Sequence, residues 1–220
     1  MSALASSIIL DHVVPSHLAG SPERVERSDV WGRMFSFEPG QRYIVEASSG
    51  AGKSSLCSFI YGLRTDYSGS ISVLGSGSVA SLSVSAVCRL RESVLGWLPQ
   101  QLGLFESLSA LDNVLVKNRL TSFLPLSRIR EMFECLDIAE KLNVPVRLLS
   151  VGQQQRVAVI RALAQPSRFL ILDEPVSHLD PDMSLRVSQL IESSVVPDAT
   201  IIATSVGNRL PLSSFTLLNL

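Results

Sequence analysis

Residues 47–55 constrain this chain more than any other stretch of it. They read ASSGAGKSS and lie between a β-rich run, Arg42–Glu46 (RYIVE), and a helical pattern that opens at Lys53. In that pattern Leu56, Phe59, Ile60 and Leu63 fall at helical spacing, with Gly62 near the end. Glycine and small side chains let backbone N–H groups curl around an anion with no Cβ in the way. A helix starting at the same point adds the partial positive charge of its N-terminus. The spacing approaches G-x-x-x-x-G-K-[ST], with Ala47 standing where the first glycine belongs. Alanine there costs little as long as φ stays negative. On this reading Ser48, Ser49, Gly50, Ala51, Gly52, Lys53, Ser54 and Ser55 cradle phosphate groups, Lys53 bridges the terminal ones and Ser54 ligates Mg2+. Taken alone, the segment also reads as a plain small-residue turn before a helix.

A second feature pairs with the first. The apolar run FLIL at 169–172 ends in Asp173, Glu174 and Pro175, as buried parallel strands that end in acid do. An acid there is costly to desolvate unless it is paired or bound to a metal. Asp173 is the candidate for holding Mg2+ through its water shell, and Glu174 the candidate general base toward an attacking water. The bland reading is a turn that caps a strand.

The remaining organisation is that of one α/β domain. The chain has 220 residues, 46% of them hydrophobic, enough for a substantial core. Net charge is −1, so no overall field draws nucleic acid. Mean hydropathy is +0.30 with only 18% charged residues, which hints at surface buried against partners. No stretch reads as a membrane span; the uncharged segment 67–88 is interrupted throughout by Ser and Gly. The start, MSALASSIIL, lacks the basic opening and sustained apolar run of a signal peptide, so a cytoplasmic chain is expected. Cys57, Cys88 and Cys135 are widely spaced and read as small core hydrophobes. Between 68 and 85, Ile71, Val73, Leu74, Val79, Leu82 and Val84 interleave with serine, a pattern of short strands and turns. Residues 111–149 differ in character: Ile129, Met132, Phe133 and Leu136 form an amphipathic helical face, with Ser127 as its expected N-cap. A helix-like segment, 183–193, precedes another apolar run, TIIAT at 200–204.

Between the two candidate motifs lies LSVGQQQRVA at 149–158, leading into Arg161, Ala162 and Leu163. This resembles the signature of ATP-binding cassette proteins, LSGGQ followed by QRVAIARAL. Leu95 to Gln100 (LGWLPQ) resembles the segment ending in that family's Q-loop glutamine, and Ser177, His178, Leu179 and Asp180 resemble its D-loop. YSGSI at 67–71 and SLSALDNV at 107–114 match as well, so the resemblance runs from about 35 to 204. Arg89, Leu90 and Arg91 before LGWLPQ resemble the branch serving lipoprotein release, macrolide export and cell division.

The resemblance implies an α/β P-loop NTPase core of mostly parallel sheet with flanking helices, a small N-terminal antiparallel part and an inserted helical subdomain. The whole chain, 1–220, is then one ATPase domain, with core and β part at about 1–97 and 151–220 and helices at about 98–150. It implies MgATP as ligand, with Lys53, Gln100 and Glu174 in the catalytic set and Ser54, Gln100 and Asp173 toward the metal. Two such subunits, identical or related, would sandwich two ATP molecules head to tail. Ser150, Val151, Gly152 and Gln153 would then face the partner's phosphate loop, with Ser177, Leu179 and Asp180 in the D-loop. Gln100 would relay closure to integral membrane permease subunits docking near 102–106, holding the chain at the inner face of the membrane.

The pattern breaks in places. Val151 replaces the signature's first glycine, and no histidine follows His178, so the switch position falls near Ser205 or Val206 and is assigned here to Ser205, which can donate a hydrogen bond but carries no charge. That leaves a second reading, an ATP-gated structural module with weak hydrolysis. The first 30 residues hold no Phe, Tyr or Trp; His17, then His12, are the rings best placed to stack on adenine, although either also reads as a solvated loop residue. His178 reads as tolerated surface, Trp31 and Trp97 as core. A DNA-repair ATPase would bring coiled coils or DNA-binding segments that are absent here, and a simple P-loop kinase would not explain LSVGQQQR.

Overall fold

Strand pairing follows the apolar runs. The computed structural model describes residues 6–48 and 50–220. Strands β1 (Ile8–Pro15), β2 (Met34–Phe37) and β4 (Tyr67–Val73) form an antiparallel sheet with β1 in the middle. Strands β3 (Arg42–Glu46), β5 (Leu95–Leu98), β6 (Phe169–Asp173), β7 (Thr200–Ser205) and β8 (Thr216–Asn219) form a parallel sheet in the order β5-β6-β7-β3-β8. Parallel strands need long crossovers, and helices supply them. These are α2 (Lys53–Ile60), α3 (Val84–Ser93), α4 (Ala110–Asn118), α5 (Leu126–Cys135), α6 (Val151–Leu163) and α7 (Pro181–Ser194), with a short α1 (Pro22–Arg27) between β1 and β2.

Both faces of the parallel sheet are covered, so every residue of β6 is buried. The two-residue period splits the core. Leu170 and Leu172 join Ile44, Ile201 and Ala203 beneath α4, α5, α6 and α7. Phe169 and Ile171 turn the other way, with Tyr43, Val45 and Ile202, onto α2 and the antiparallel sheet. Among the described residues no helix is long and apolar enough to cross a membrane.

Several local expectations change. Helix α2 stops at Ile60, not Leu63: the Leu63 amide donates to Ser58 O at 2.9 Å and the Gly62 amide to Phe59 O at 3.0 Å. Gly62 takes φ +70, completing a Schellman stop that leaves Leu63 exposed. Ser127 does not cap α5; Pro125 holds the extended cap position, and Ser127 falls inside the first turn. In the serine-rich stretch Ile71 and Val73 are core, but Val84 opens α3, capped by Ser83, and is exposed. Only Cys57 is buried; Cys88 and Cys135 are exposed. Cys135 lies two residues past buried Phe133, about 200° further round the helix and so on its outer face.

Candidate functional site

The loop after β3 is built around backbone that only glycine takes without strain. Gly52 is the left-handed N-cap of α2, at φ +100, and a Cβ there would come 3.3 Å from the Trp31 ring. Trp31 is buried and donates Nε1–H to Ala51 O at 3.3 Å, so an aromatic plate backs the turn. Gly50 has φ +80, and a Cβ there would meet nothing within 4 Å. Ala47 is not among the residues with positive φ, which is why alanine is tolerated. Lys53 is buried and its ammonium donates to Ala47 O at 2.9 Å and Ser48 O at 3.2 Å, closing the loop on itself. Ser55 lines the cleft and accepts from Arg64 Nη1 at 3.2 Å. Ser49 lies outside the described residues.

A cleft of about 290 Å3 opens over this loop. Lys53 and Ser54 line it from the start of α2, Gln100 from beyond β5, Glu174 from the residue after β6 and Val206 from the residue after β7. All four strands therefore deliver their carboxyl ends to one crevice, the place where open parallel sheets bind ligands. Ser54 Oγ and Gln100 Oε1 are 3.5 Å apart. Two oxygen donors from different elements thus meet in the cleft, a hard donor pair of the kind Mg2+ takes; Asp173 is not among the lining residues but is buried at the end of β6, next in sequence to Glu174, which is.

The acid pair is held from behind. Asp173 is 1% exposed and its Oδ1 accepts from Thr204 Oγ1 at 2.7 Å. Glu174 is half-buried with φ +53, a left-handed conformation costing a non-glycine residue about 1–2 kcal/mol. Its amide donates to Thr204 Oγ1 at 3.1 Å and its carbonyl accepts from Gln155 Nε2 at 3.0 Å.

A family model described as "ABC transporter" matches residues 32–177, two-thirds of the chain and all of the elements just described except β7. The chain belongs to the ABC transporter family. It is 39% identical over 172 residues to the hypophosphite import ATP-binding protein HtxD of Stutzerimonas stutzeri, covering 73% of this chain and 50% of that protein. It is 37% identical over 158 residues to the phosphonates import ATP-binding protein PhnC 1 of Trichodesmium erythraeum, covering 67% and 62%. The chain thus spans about half the length of the curated relatives it matches. Its fold is that of the dimeric bacterial ABC transporter cassette MJ0796, with a TM-score of 0.75 at 24% identity over 96% of this chain and 94% of that one.

In this ABC chain residues 150–153, which resemble the signature, stand at the start of α6 and are not among the residues that line the cleft. Ser150 is the N-cap in a capping box: its Oγ accepts from the Gln153 amide at 3.3 Å, and its own amide donates to Gln153 Oε1 at 3.0 Å. Val151 is 52% exposed. At Gly152 a Cβ would come 3.2 Å from His178 O, so glycine there lets the 177–180 stretch lie against α6. Ser177 Oγ pairs with Gln155 Nε2 at 3.4 Å, Leu179 packs on the core, and Asp180 caps α7 through Met183 N at 2.8 Å. His178 is wired in through its amide, which donates to Gln155 Oε1 at 3.0 Å.

Ser205 is 1% exposed and its Oγ finds no hydrogen-bond partner among the described residues, whereas Val206 lines the cleft. Ser205 is the buried last residue of β7, and the chain bends at Val206 as it leaves the strand. His17 also lines the cleft, and Trp97 is only partly buried, tilted against Tyr61 at 4.8 Å. Sequence reasoning gave Gln155 and Thr204 no role and Trp31 only a core one. Gln155 falls within the stretch resembling the signature and Thr204 at the end of an apolar run, and neither position signals its partner across space.

Proposed function

We propose that this chain is the ATP-binding subunit of an ABC-type membrane complex, binding and hydrolysing MgATP at a dimer interface to drive work by membrane partners. The observation that carries this reading is the meeting of Lys53, Ser54, Gln100 and Glu174 in one cleft at the carboxyl ends of the parallel strands. Backbone amides of the 48–55 loop and the α2 N-terminus hold the phosphate tail, and Lys53 exchanges its two carbonyl partners for the terminal phosphates. Ser54, Gln100 and Asp173 would hold Mg2+, which when bound neutralises developing charge on the phosphates. Glu174 orients the attacking water as general base.

The cleft opens to solvent, which leaves room for a partner to close it: Ser150, Val151, Gly152 and Gln153 from a second subunit, identical or related, with Ser177, Leu179 and Asp180 at the seam. The 98–150 segment serves as the helical subdomain and the remainder as the core. Permease subunits dock near 102–106, where Phe105 is 49% exposed under the Arg161 guanidinium, and keep the chain at the inner membrane face. The cargo belongs to those partners. Nucleic acid has no part in it.

Calorimetric titration with MgATP, and competition by ADP, tests the nucleotide reading; no heat and no competition would sink it. Glu174→Gln is expected to dimerise only with MgATP, and both Lys53→Ala and Ser150→Arg to abolish that response. A Ser150→Arg variant that still dimerises contradicts the opposed arrangement. A second reading, an ATP-gated module with slow turnover, is favoured by the apolar Val206 at the cleft where the family's histidine is expected. Brisk hydrolysis that depends on Glu174 would remove it.

A further inference from the structure

Thr204 lies directly beside Asp173 in the β6–β7 register. Its hydroxyl has one proton and two lone pairs. The proton goes to Asp173 Oδ1 at 2.7 Å, and a lone pair takes the Glu174 amide at 3.1 Å. On the other side of Glu174, the buried Gln155 donates Nε2–H to the Glu174 carbonyl at 3.0 Å, and its Oε1 accepts the His178 amide at 3.0 Å. Both main-chain groups of Glu174 are therefore fixed by side chains from two other elements, and its left-handed backbone is over-determined. Asp173 Oδ2 has no such partner among the described residues.

We propose that Thr204 and Gln155 are positioning residues for the Asp173–Glu174 pair. Thr204 turns Asp173 so that Oδ2 faces the cation-binding side, and it holds the Glu174 amide. Gln155 ties the Glu174 carbonyl to the helix that begins at Ser150, so the signature segment and the candidate base move as one body. This rests on reading the cleft as a MgATP site. Strand packing alone would accept valine at 204, which is isosteric; the hydroxyl is needed only because it bonds Asp173 and Glu174.

The test compares the full chain with Thr204→Val, Thr204→Ser and Gln155→Leu. A fluorescent ATP analogue is titrated without Mg2+, then at increasing Mg2+, and turnover is measured where it occurs. Groups that orient a metal ligand are worth about 10–100-fold. Thr204→Val is expected to bind nucleotide without Mg2+ within about twofold of wild type, yet to need at least about tenfold more Mg2+ for half-saturation and to lose kcat rather than KM. Thr204→Ser restores both properties. Gln155→Leu lowers kcat and leaves the Mg2+ requirement near wild type. The proposal is overturned if Thr204→Val and Thr204→Ser behave alike, or if Thr204→Val weakens Mg2+-free binding as much as it raises the Mg2+ requirement. A wild type that binds no nucleotide overturns the MgATP reading itself, a result distinct from either. Where turnover is too slow to measure, the Mg2+ requirement decides.

Discussion

At Lys117, near the end of α4, the ammonium group is half-buried and its charged neighbours are Arg161 and Arg91. Burial, then repulsion from those two cations, pushes its pKa down from 10.5 to about 8. Below about 8 both folded and unfolded chains carry the charge, and the folded state bears its full cost. Between about 8 and 10.5 the folded chain gives up the proton while the unfolded chain keeps it, so stability contributed at this site rises with pH. Lys117→Met is therefore expected to stabilise at pH 7 by the order of 1–2 kcal/mol, allowing for partial exposure. Urea unfolding of both chains across pH 7–11 should show that advantage shrinking as pH rises. An advantage that stays constant would exclude the titration of Lys117 as its source.

Elements in this fold are limited by backbone approach as much as by apolar area. The β1–β4 register shifts between Asp11 and Val14, and Gly69 fills the space opposite: a Cβ there would lie 2.4 Å from Asp11 O and 2.5 Å from His12 O, at φ +81. Neither carbonyl can move without breaking the sheet. Gly69→Ala is expected to cost about 3 kcal/mol or more, read as a lower urea midpoint with unchanged slope. Gly50 makes the opposite case. A Cβ there meets nothing within 4 Å, so Gly50→Ala should lose only about 1 kcal/mol of stability, from φ +80 alone. Nucleotide affinity should fall much further, because the added methyl stands in the cleft. Calorimetry and urea titration on the same preparation separate the two effects.

For the whole molecule, a ligand gripped by two halves of the sheet should be felt throughout the cooperative unit. At about 100 times its Kd, MgATP adds about 2.7 kcal/mol, which raises Tm by roughly 5–10 °C for a chain of this length. Lys53→Ala should melt near the wild-type temperature without ligand and show no such rise. A rise that survives in Lys53→Ala would mean the nucleotide is held elsewhere.

Local pattern decided the strand–loop–helix at 42–60, the capped start of α6 at Ser150 and the wholly buried β6, because each depends on neighbours within a few residues: glycine torsions, a Ser-x-x-Gln cap, an unbroken apolar run. The ordered motifs together carried the family and fold class. Other features depended on what stands across space. Trp31 behind Gly52, Thr204 beside Asp173 and Gln155 beneath Glu174 are separated from their partners by 19 to 31 positions, and no periodicity predicts which side chain a register brings alongside. Ser205 is the last residue of β7 and Val206 the first beyond it, and only the folded chain chose which of them meets the cleft. Sequence supplied the groups that can grip a phosphate chain; tertiary packing chose their facing and their supports, since burial and backbone register are settled only when the sheet closes.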